Sequence, residues 1–166
     1  VELGKPAYIR LAREKTPVIT TADTPFEVGK GQIFYGEEKG KADVGIVATG
    51  ALVYKALKVA ETLKGEGISV KVLNISTIKP LDNEAVISLA KTCGAIVSVE
   101  EHQIAGGLGS AVAECLSQNF PVPQEFIGVK DKFGQSGKQD ELLEHYEMGE
   151  THIRDACKKC IGRKVN

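Results

Sequence analysis

The chain has 166 residues, of which 42% are hydrophobic, and 21 basic residues against 22 acidic ones leave a net charge of −1. This length and composition can bury one core of ordinary size, so we expect one compact domain. The charge balance leaves no basic surface for nucleic acid, and no apolar run reaches the roughly 18 residues of a membrane span. The N-terminus has no signal-peptide pattern. We therefore expect a cytoplasmic protein with no nucleic-acid or membrane partner.

The hydrophobic pattern alternates between strand and helix along the chain. Short β-prone or continuous apolar runs predict strands at 32–35, 44–50, 70–76, 94–101 and 125–129. Apolar residues at helical spacing predict helices within 51–67, 81–93, 107–118, 140–148 and 151–161. Asp82 and Thr151 stand where N-caps are expected. Strands and helices that alternate through short connections are typical of an open α/β sheet.

The segment Ser98–Glu114 connects the fourth strand to the third helix and holds the candidate site residues Glu100, Glu101, His102, Gly106, Gly107 and Gly109. Open α/β sheets bind ligands at the carboxyl ends of strands, and a helix N-terminus favours an anion. The glycine spacing, however, is not the G-x-G-x-x-G of dinucleotide-binding sites. The residues alone favour a sharp bend over direct catalysis. In that interpretation the glycines allow positive φ and close helix packing, and the carboxylates are solvated.

Four cysteines, Cys93, Cys115, Cys157 and Cys160, fit a reducing compartment. Cys157 and Cys160 have C-x-x-C spacing, but a zinc site needs a second such pair or paired histidines, and the sequence has neither. Helical spacing instead predicts both thiols as small core residues. No metal site is predicted in this chain.

Two arginines near the N-terminus are candidate phosphate ligands. Arg10 and Arg13 lie in Pro6–Pro17, where an apolar strand is predicted to end in a loop. The guanidinium fork binds phosphate with two parallel hydrogen bonds. From the residues alone, a surface ion pair is the favoured role for each arginine.

Five stretches occur in an order and at spacings that resemble the carboxyl-terminal third of transketolases: PAYIRLAREKTP, DVGIVATG, SVKVLNISTIKPLD, VEEHQIAGGLGSAVAE and DKFGQSG. The resemblance extends from about Pro6 to about Arg163 and is closest to the form found as a separate chain in some prokaryotes. It implies a three-layer α/β/α fold with a five-stranded mixed sheet whose first strand is antiparallel to the others. It assigns residues 1–16 to the last strand of a preceding pyrimidine-binding domain and a linker, and residues 17–166 to the transketolase carboxyl-terminal domain.

The resemblance implies an enzyme that transfers a two-carbon ketol unit between sugar phosphates. Thiamine diphosphate and Mg²⁺ would be bound by domains absent from this chain, which would hold no cofactor and would be inactive alone. Its partners would be N-terminal thiamine-diphosphate-binding domains or a subunit that carries them, in a homodimer or heterotetramer.

The resemblance also implies roles for the candidate residues. Arg13 matches the family arginine that binds the terminal phosphate of the substrate, and Arg10 becomes a structural neighbour. Glu100, Glu101 and His102 become loop contacts at a domain or subunit interface, and no catalytic residue lies in this chain.

Two kinds of alternative remain open at this point. The chain could be the corresponding domain of deoxyxylulose-5-phosphate synthase or of a 2-oxoacid dehydrogenase β subunit, which share this domain. It could also be a free-standing regulatory module that binds an anion or nucleotide at the glycine bend, although the incomplete strand at 7–11 favours a domain of a larger enzyme.

Overall fold

The computed structural model describes residues 4–11, 14–36 and 40–164, which form one five-stranded sheet and five helices. The strands are β1 (Gly31–Tyr35), β2 (Val44–Ala48), β3 (Val70–Ile75), β4 (Ile96–Gln103) and β5 (Gln124–Val129). The helices are α1 (Leu52–Gly65), α2 (Asn83–Cys93), α3 (Leu108–Asn119), α4 (Gln139–His145) and α5 (Glu150–Gly162). The five strands and five helices predicted between residues 32 and 161 are all present, with ends that differ by a few residues.

The strand order is β1-β3-β2-β4-β5, and β1 is antiparallel to its neighbour while the other pairs are parallel. Parallel strands with helices on both faces need apolar side chains in both directions, and β2 is buried along its whole length. Val44, Ile46 and Ala48 join one core with α1 and α5, whereas Val47 joins the other core with α2 and α3. The three-layer α/β/α fold with a mixed sheet is therefore confirmed.

Helix α2 has both of its ends capped. The Asp82 side chain accepts a hydrogen bond from the Ala85 N–H, and the helix ends at Gly94, which has φ 66°. An N-terminal Asp and a left-handed glycine are preferred because they satisfy orphan backbone groups. The prediction of Asp82 as an N-cap is confirmed.

The cap predicted for α5 is wrong. The helix begins at Glu150 and Gly149 is its N-cap, without any side-chain capping bond. Thr151 therefore lies inside the first turn, because the extended backbone of Gly149 already provides the entry to the helix.

The N-terminal segment lies outside the sheet. Residues 6–11 form no strand, and Tyr8, Ile9 and Leu11 are 90%, 79% and 84% exposed. The strand predicted here is not formed within this chain, since a strand needs a hydrogen-bonding neighbour and this sheet provides none. The division into residues 1–16 and 17–166 stays a prediction.

The four cysteines are buried and free. Cys157 and Cys160 lie on the inner face of α5, and burial raises the pKa of Cys157 to about 12. The Sγ of Cys160 lies 3.2 Å from the carbonyl oxygens of Ile96 and Pro123. The prediction that both thiols are core residues is confirmed. Within the described ranges, no group of three or more His, Cys, Asp or Glu side chains could hold a metal ion.

In the same part of the chain, no helix combines the length and the apolar character needed to cross a membrane.

Candidate functional site

A cleft of about 820 Å³ opens at the carboxyl ends of β2 and β4. The connection after β2 leads to β3 on one side, and the next connection leads to β4 on the other side. Such a switch point leaves a crevice in which open α/β sheets bind ligands. We call it the switch-point cleft; its walls include Arg10, Glu14, Thr49, Glu101, His102 and Gln139.

Strand β4 is irregular where it reaches this cleft. Its pairing with β5 is regular as far as Val99 and resumes at Gln103, so that residues 100–102 stand opposite Gly128 alone. A bulge of this kind redirects side chains and is common beside functional sites. A Cβ on Gly128 would lie 2.9 Å from the His102 carbonyl oxygen, so the bulge needs glycine on the facing strand.

Glu100 points into the protein on the same face of β4 as Ser98, as the alternation of a strand requires, and it is 1% exposed. Its Oε2 accepts a hydrogen bond from the Leu108 N–H at 2.7 Å, and its Oε1 accepts one from the Gly109 N–H at 2.7 Å. These are the first N–H groups of α3, which have no partner within the helix. Glu100 thus caps α3 with charge-assisted hydrogen bonds at the positive end of the helix dipole.

The three glycines that follow make room for this arrangement. Gly106 has φ 78°, a conformation that other residues rarely adopt. A Cβ on Gly107 would lie 2.1 Å from Oε2 of Glu100, and one on Gly109 would lie 2.7 Å from the Phe126 ring. The predicted roles of positive φ and close helix packing are confirmed.

The next two residues of the bulge point to solvent. Glu101 is exposed, and the His102 side chain is 63% exposed. The His102 Nδ1 lies 3.0 Å from the Gln103 carbonyl oxygen and 4.0 Å from Oε2 of Glu100. The backbone contact orients the imidazole, so that a carboxylate and an oriented ring stand together at the mouth of the switch-point cleft.

These contacts correct one prediction for Glu100. Its carboxylate is not solvated, because both oxygens are bonded within the domain. Its predicted interface role stays a prediction. An external anion at the N-terminus of α3 would meet the Glu100 carboxylate, so the regulatory module with an anion at the glycine bend is not supported. The interface role of Glu101 and His102 stays a prediction.

Arg13, the candidate phosphate ligand, lies outside the described residues. Arg10, Leu11 and Glu14 line the switch-point cleft, so the segment on both sides of position 13 reaches it. The phosphate-binding role of Arg13 stays a prediction.

Two parts of the cleft wall were missed by the sequence analysis. Thr49 and Gly50 directly follow β2, as Glu101 and His102 complete β4, and the Thr49 N–H donates to the Val99 carbonyl oxygen at 3.2 Å. The signal that could have identified Thr49 and Gly50 was their position at the end of a fully apolar run. Gln139, at the start of α4, carried no comparable signal.

The family model of the transketolase carboxyl-terminal domain matches residues 36–153. The chain belongs to this family. Among curated relatives, the domain is 43% identical over 159 residues to a subunit of a 6-deoxy-6-sulfo-D-fructose transketolase from Clostridium sp. strain MSTE9, with 96% of the chain and 48% of the relative covered. It is 40% identical over 135 residues to 1-deoxy-D-xylulose-5-phosphate synthase from Crocosphaera subtropica, with 81% and 21% covered.

A solved structure described as a split-gene transketolase, an inactive β4 tetramer, matches this transketolase domain with a TM-score of 0.86 and 39% identity. The match covers 92% of the chain and 49% of that structure. The chain therefore spans about half the length of the transketolase subunits that it resembles.

Proposed function

We propose that this chain is the carboxyl-terminal domain of a transketolase that transfers a two-carbon ketol unit between sugar phosphates. The family match over residues 36–153 carries this proposal. The half-length match to a transketolase subunit supports a larger enzyme in which other domains complete the site. Those domains would bind thiamine diphosphate, either in the same chain or in a separate subunit.

The proposed role of this domain is assembly and substrate binding. Thiamine diphosphate and Mg²⁺ would be held by the partner domains, and in this domain Glu100 fills the helix N-terminus that faces the cleft. Arg13 would bind the terminal phosphate of the sugar. Glu101 and His102 would contact the partner domains at the mouth of the switch-point cleft.

The complete enzyme would be a homodimer of full-length chains or a heterotetramer of two kinds of subunit. The solved relative that is described as a β4 tetramer is also described as inactive. That description supports our expectation that this domain does not transfer ketol groups alone.

Reconstitution tests the proposal. The chain is combined with the thiamine-diphosphate-binding domains from the same source, and ketol transfer from a ketose phosphate to an aldose phosphate is measured with thiamine diphosphate and Mg²⁺. We expect transfer by the assembled mixture and none by either part. Transfer by this chain alone would contradict the proposal, as would an assembled mixture that transfers nothing.

The corresponding domain of 1-deoxy-D-xylulose-5-phosphate synthase is a second candidate, favoured by the relative that is 40% identical. The same assembled mixture, supplied with pyruvate and glyceraldehyde 3-phosphate in place of the ketose and aldose phosphates, separates the two. Formation of 1-deoxy-D-xylulose 5-phosphate, with release of the pyruvate carboxyl group as CO₂, would support the synthase.

A further inference from the structure

Asp82 and Glu100 are buried carboxylates that cap helices, and each bonds two backbone N–H groups. Asp82 is 8% exposed and accepts hydrogen bonds from Ala85 at 3.1 Å and from Gly31 at 2.9 Å. Glu100 is 1% exposed and accepts bonds from the first N–H groups of α3. The two sites share the same chemistry and differ in what lies beside them.

Of these two carboxylates, Glu100 is the one that lies beside the switch-point cleft. The residues that follow it, Glu101 and His102, form part of the cleft wall, whereas Asp82 is not among the lining residues. The segment between Glu100 and α3 begins with the bulge and ends with Gly107. It therefore starts beside the Glu100 carboxylate and returns to it, because Gly107 packs against the same carboxylate.

Three glycines lie close to the Glu100 side chain, which also lines the switch-point cleft. Besides the Gly107 contact, a Cβ on Gly128 would lie 3.3 Å from the Glu100 Cγ, and one on Gly109 would lie 3.3 Å from Oε1. A larger residue at any of these positions would displace the side chain. Because the carboxylate is bonded to the first N–H groups of α3, its displacement would move the segment 101–106 that connects it to the helix.

We propose that Glu100 is a positioning residue: by filling the N-terminus of α3, it sets how Glu101 and His102 are presented at the switch-point cleft. The identity of what they meet there, the thiamine-diphosphate-binding domains, rests on the proposed function. The inference that Glu100 sets the position of the Glu101 and His102 side chains does not rest on the proposed function.

The first test compares two matched variants of the full chain. Glu100→Gln and Asp82→Asn each replace one oxygen of a buried helix-capping carboxylate by an NH₂ group, which cannot accept a backbone hydrogen bond. The NMR signals of the His102 imidazole and of the Glu101 amide are recorded in each. We expect both sets to shift in Glu100→Gln and to stay at their wild-type positions in Asp82→Asn. Unchanged His102 signals in Glu100→Gln would overturn the proposal, as would equal shifts in both variants.

A second variant decides the question if Glu100→Gln does not fold. Gly107→Ala keeps the charge and places a Cβ 2.1 Å from Oε2 of Glu100 and 2.5 Å from the Gln103 carbonyl oxygen, while φ −93° at this position is acceptable to alanine. We expect it to shift the His102 and Glu101 signals. Its control is Gly65→Ala at the end of α1, where a Cβ meets no atom within 4 Å. No difference between these two alanine variants would overturn the proposal.

The assembled enzyme gives a functional readout. We expect Glu100→Gln and Gly107→Ala to weaken binding of the thiamine-diphosphate-binding domains at least about tenfold, with Asp82→Asn and Gly65→Ala near wild type. Equal binding by all four variants would show that the cleft does not depend on Glu100. If the wild-type chain does not assemble with the thiamine-diphosphate-binding domains, the proposed function fails, while the NMR comparison still decides the role of Glu100.

Discussion

At the scale of the residue, one carboxylate can join two elements of the fold. Asp82 caps α2 through the Ala85 N–H and also accepts the Gly31 N–H at the start of β1. Sequence reasoning identified the first of these contacts, because a cap is a local feature. The second contact spans 51 residues and depends on how β1 pairs with β3.

This double contact predicts a large effect for one substitution. Asp82→Ala removes an N-cap and leaves the Gly31 N–H without its acceptor, so we expect the free energy of unfolding to fall by about 2–4 kcal/mol. Asp82→Asn retains one acceptor oxygen and should lose about half as much. Urea denaturation of the three proteins measures both values. Equal stability of Asp82→Ala and wild type would show that neither contact matters for folding.

The second residue-scale prediction concerns Arg13 in the assembled enzyme. If its guanidinium binds the terminal phosphate, Arg13→Ala should lose about 1.5–3 kcal/mol of substrate binding, roughly ten- to a hundredfold in KM for phosphorylated acceptors. A non-phosphorylated acceptor should be nearly unaffected. Arg13→Lys should recover part of the loss as a point charge without the bidentate geometry.

Arg10→Ala is the matched control for this experiment, since Arg10 is predicted to be a structural neighbour. Steady-state kinetics with both kinds of acceptor are measured for each variant. Equal losses with phosphorylated and non-phosphorylated acceptors would return Arg13 to the role of a surface ion pair.

At the scale of the element, α5 is attached to β5 by charge as well as by its buried face. Glu125 of β5 accepts a hydrogen bond from Lys159 at 2.9 Å and one from Arg163 at 2.5 Å. Burial by itself would raise the pKa of Glu125, but the hydrogen bonds and charges of Lys159 and Arg163 outweigh burial and lower the pKa. The ion pairs therefore stabilise the folded chain only while Glu125 is ionised.

This lowered pKa predicts how stability depends on pH. Because the folded pKa lies below the unfolded value of about 4.5, the contribution is fully present above that pH and is lost as pH falls through the folded pKa. Glu125→Gln should cost about 1 kcal/mol at neutral pH and progressively less in acid.

Urea denaturation of wild type and Glu125→Gln across this pH range measures the difference. Glu61→Gln, at an exposed position of α1, is the control and should track wild type at every pH. A difference between Glu125→Gln and wild type that stays constant into acid would show that packing, and not charge, connects α5 to β5.

At the scale of the whole molecule, the switch-point cleft is where the domain would meet its partners. If Glu101 and His102 are interface residues, replacing both with Ala should weaken assembly of the complete enzyme more than it slows the chemical step after assembly. The exposed pair Glu61 and Lys64 on α1, replaced in the same way, should leave both unchanged.

Analytical ultracentrifugation measures the assembly, and rapid-mixing turnover of the assembled enzyme measures the chemical step. A turnover that collapses in the Glu101 and His102 variant while the assembly stays intact would reverse this ranking. It would assign the two side chains to the reaction itself.

The sequence by itself determined the strands and helices of the sheet, the Asp82 cap and the need for glycine at the bend. These features depend on apolar periodicity, backbone conformation and hydrogen bonds between near neighbours, all of which are local in sequence. The resemblance to transketolases, and not the periodicity, supplied the direction of β1. The placement of Glu101 and His102 at the carboxyl end of a strand also followed from the order of the elements.

The tertiary structure decided what the residues at that strand end do. Glu100 and Glu101 are identical residues side by side, yet one is buried in a helix cap and the other is exposed. The alternation of β4 places them on opposite faces, and α3 packs against the Glu100 face with its first N–H groups bonded to the Glu100 carboxylate. A local pattern carries no information on where α3 packs, because the position of a helix on a sheet is fixed by packing of the whole domain.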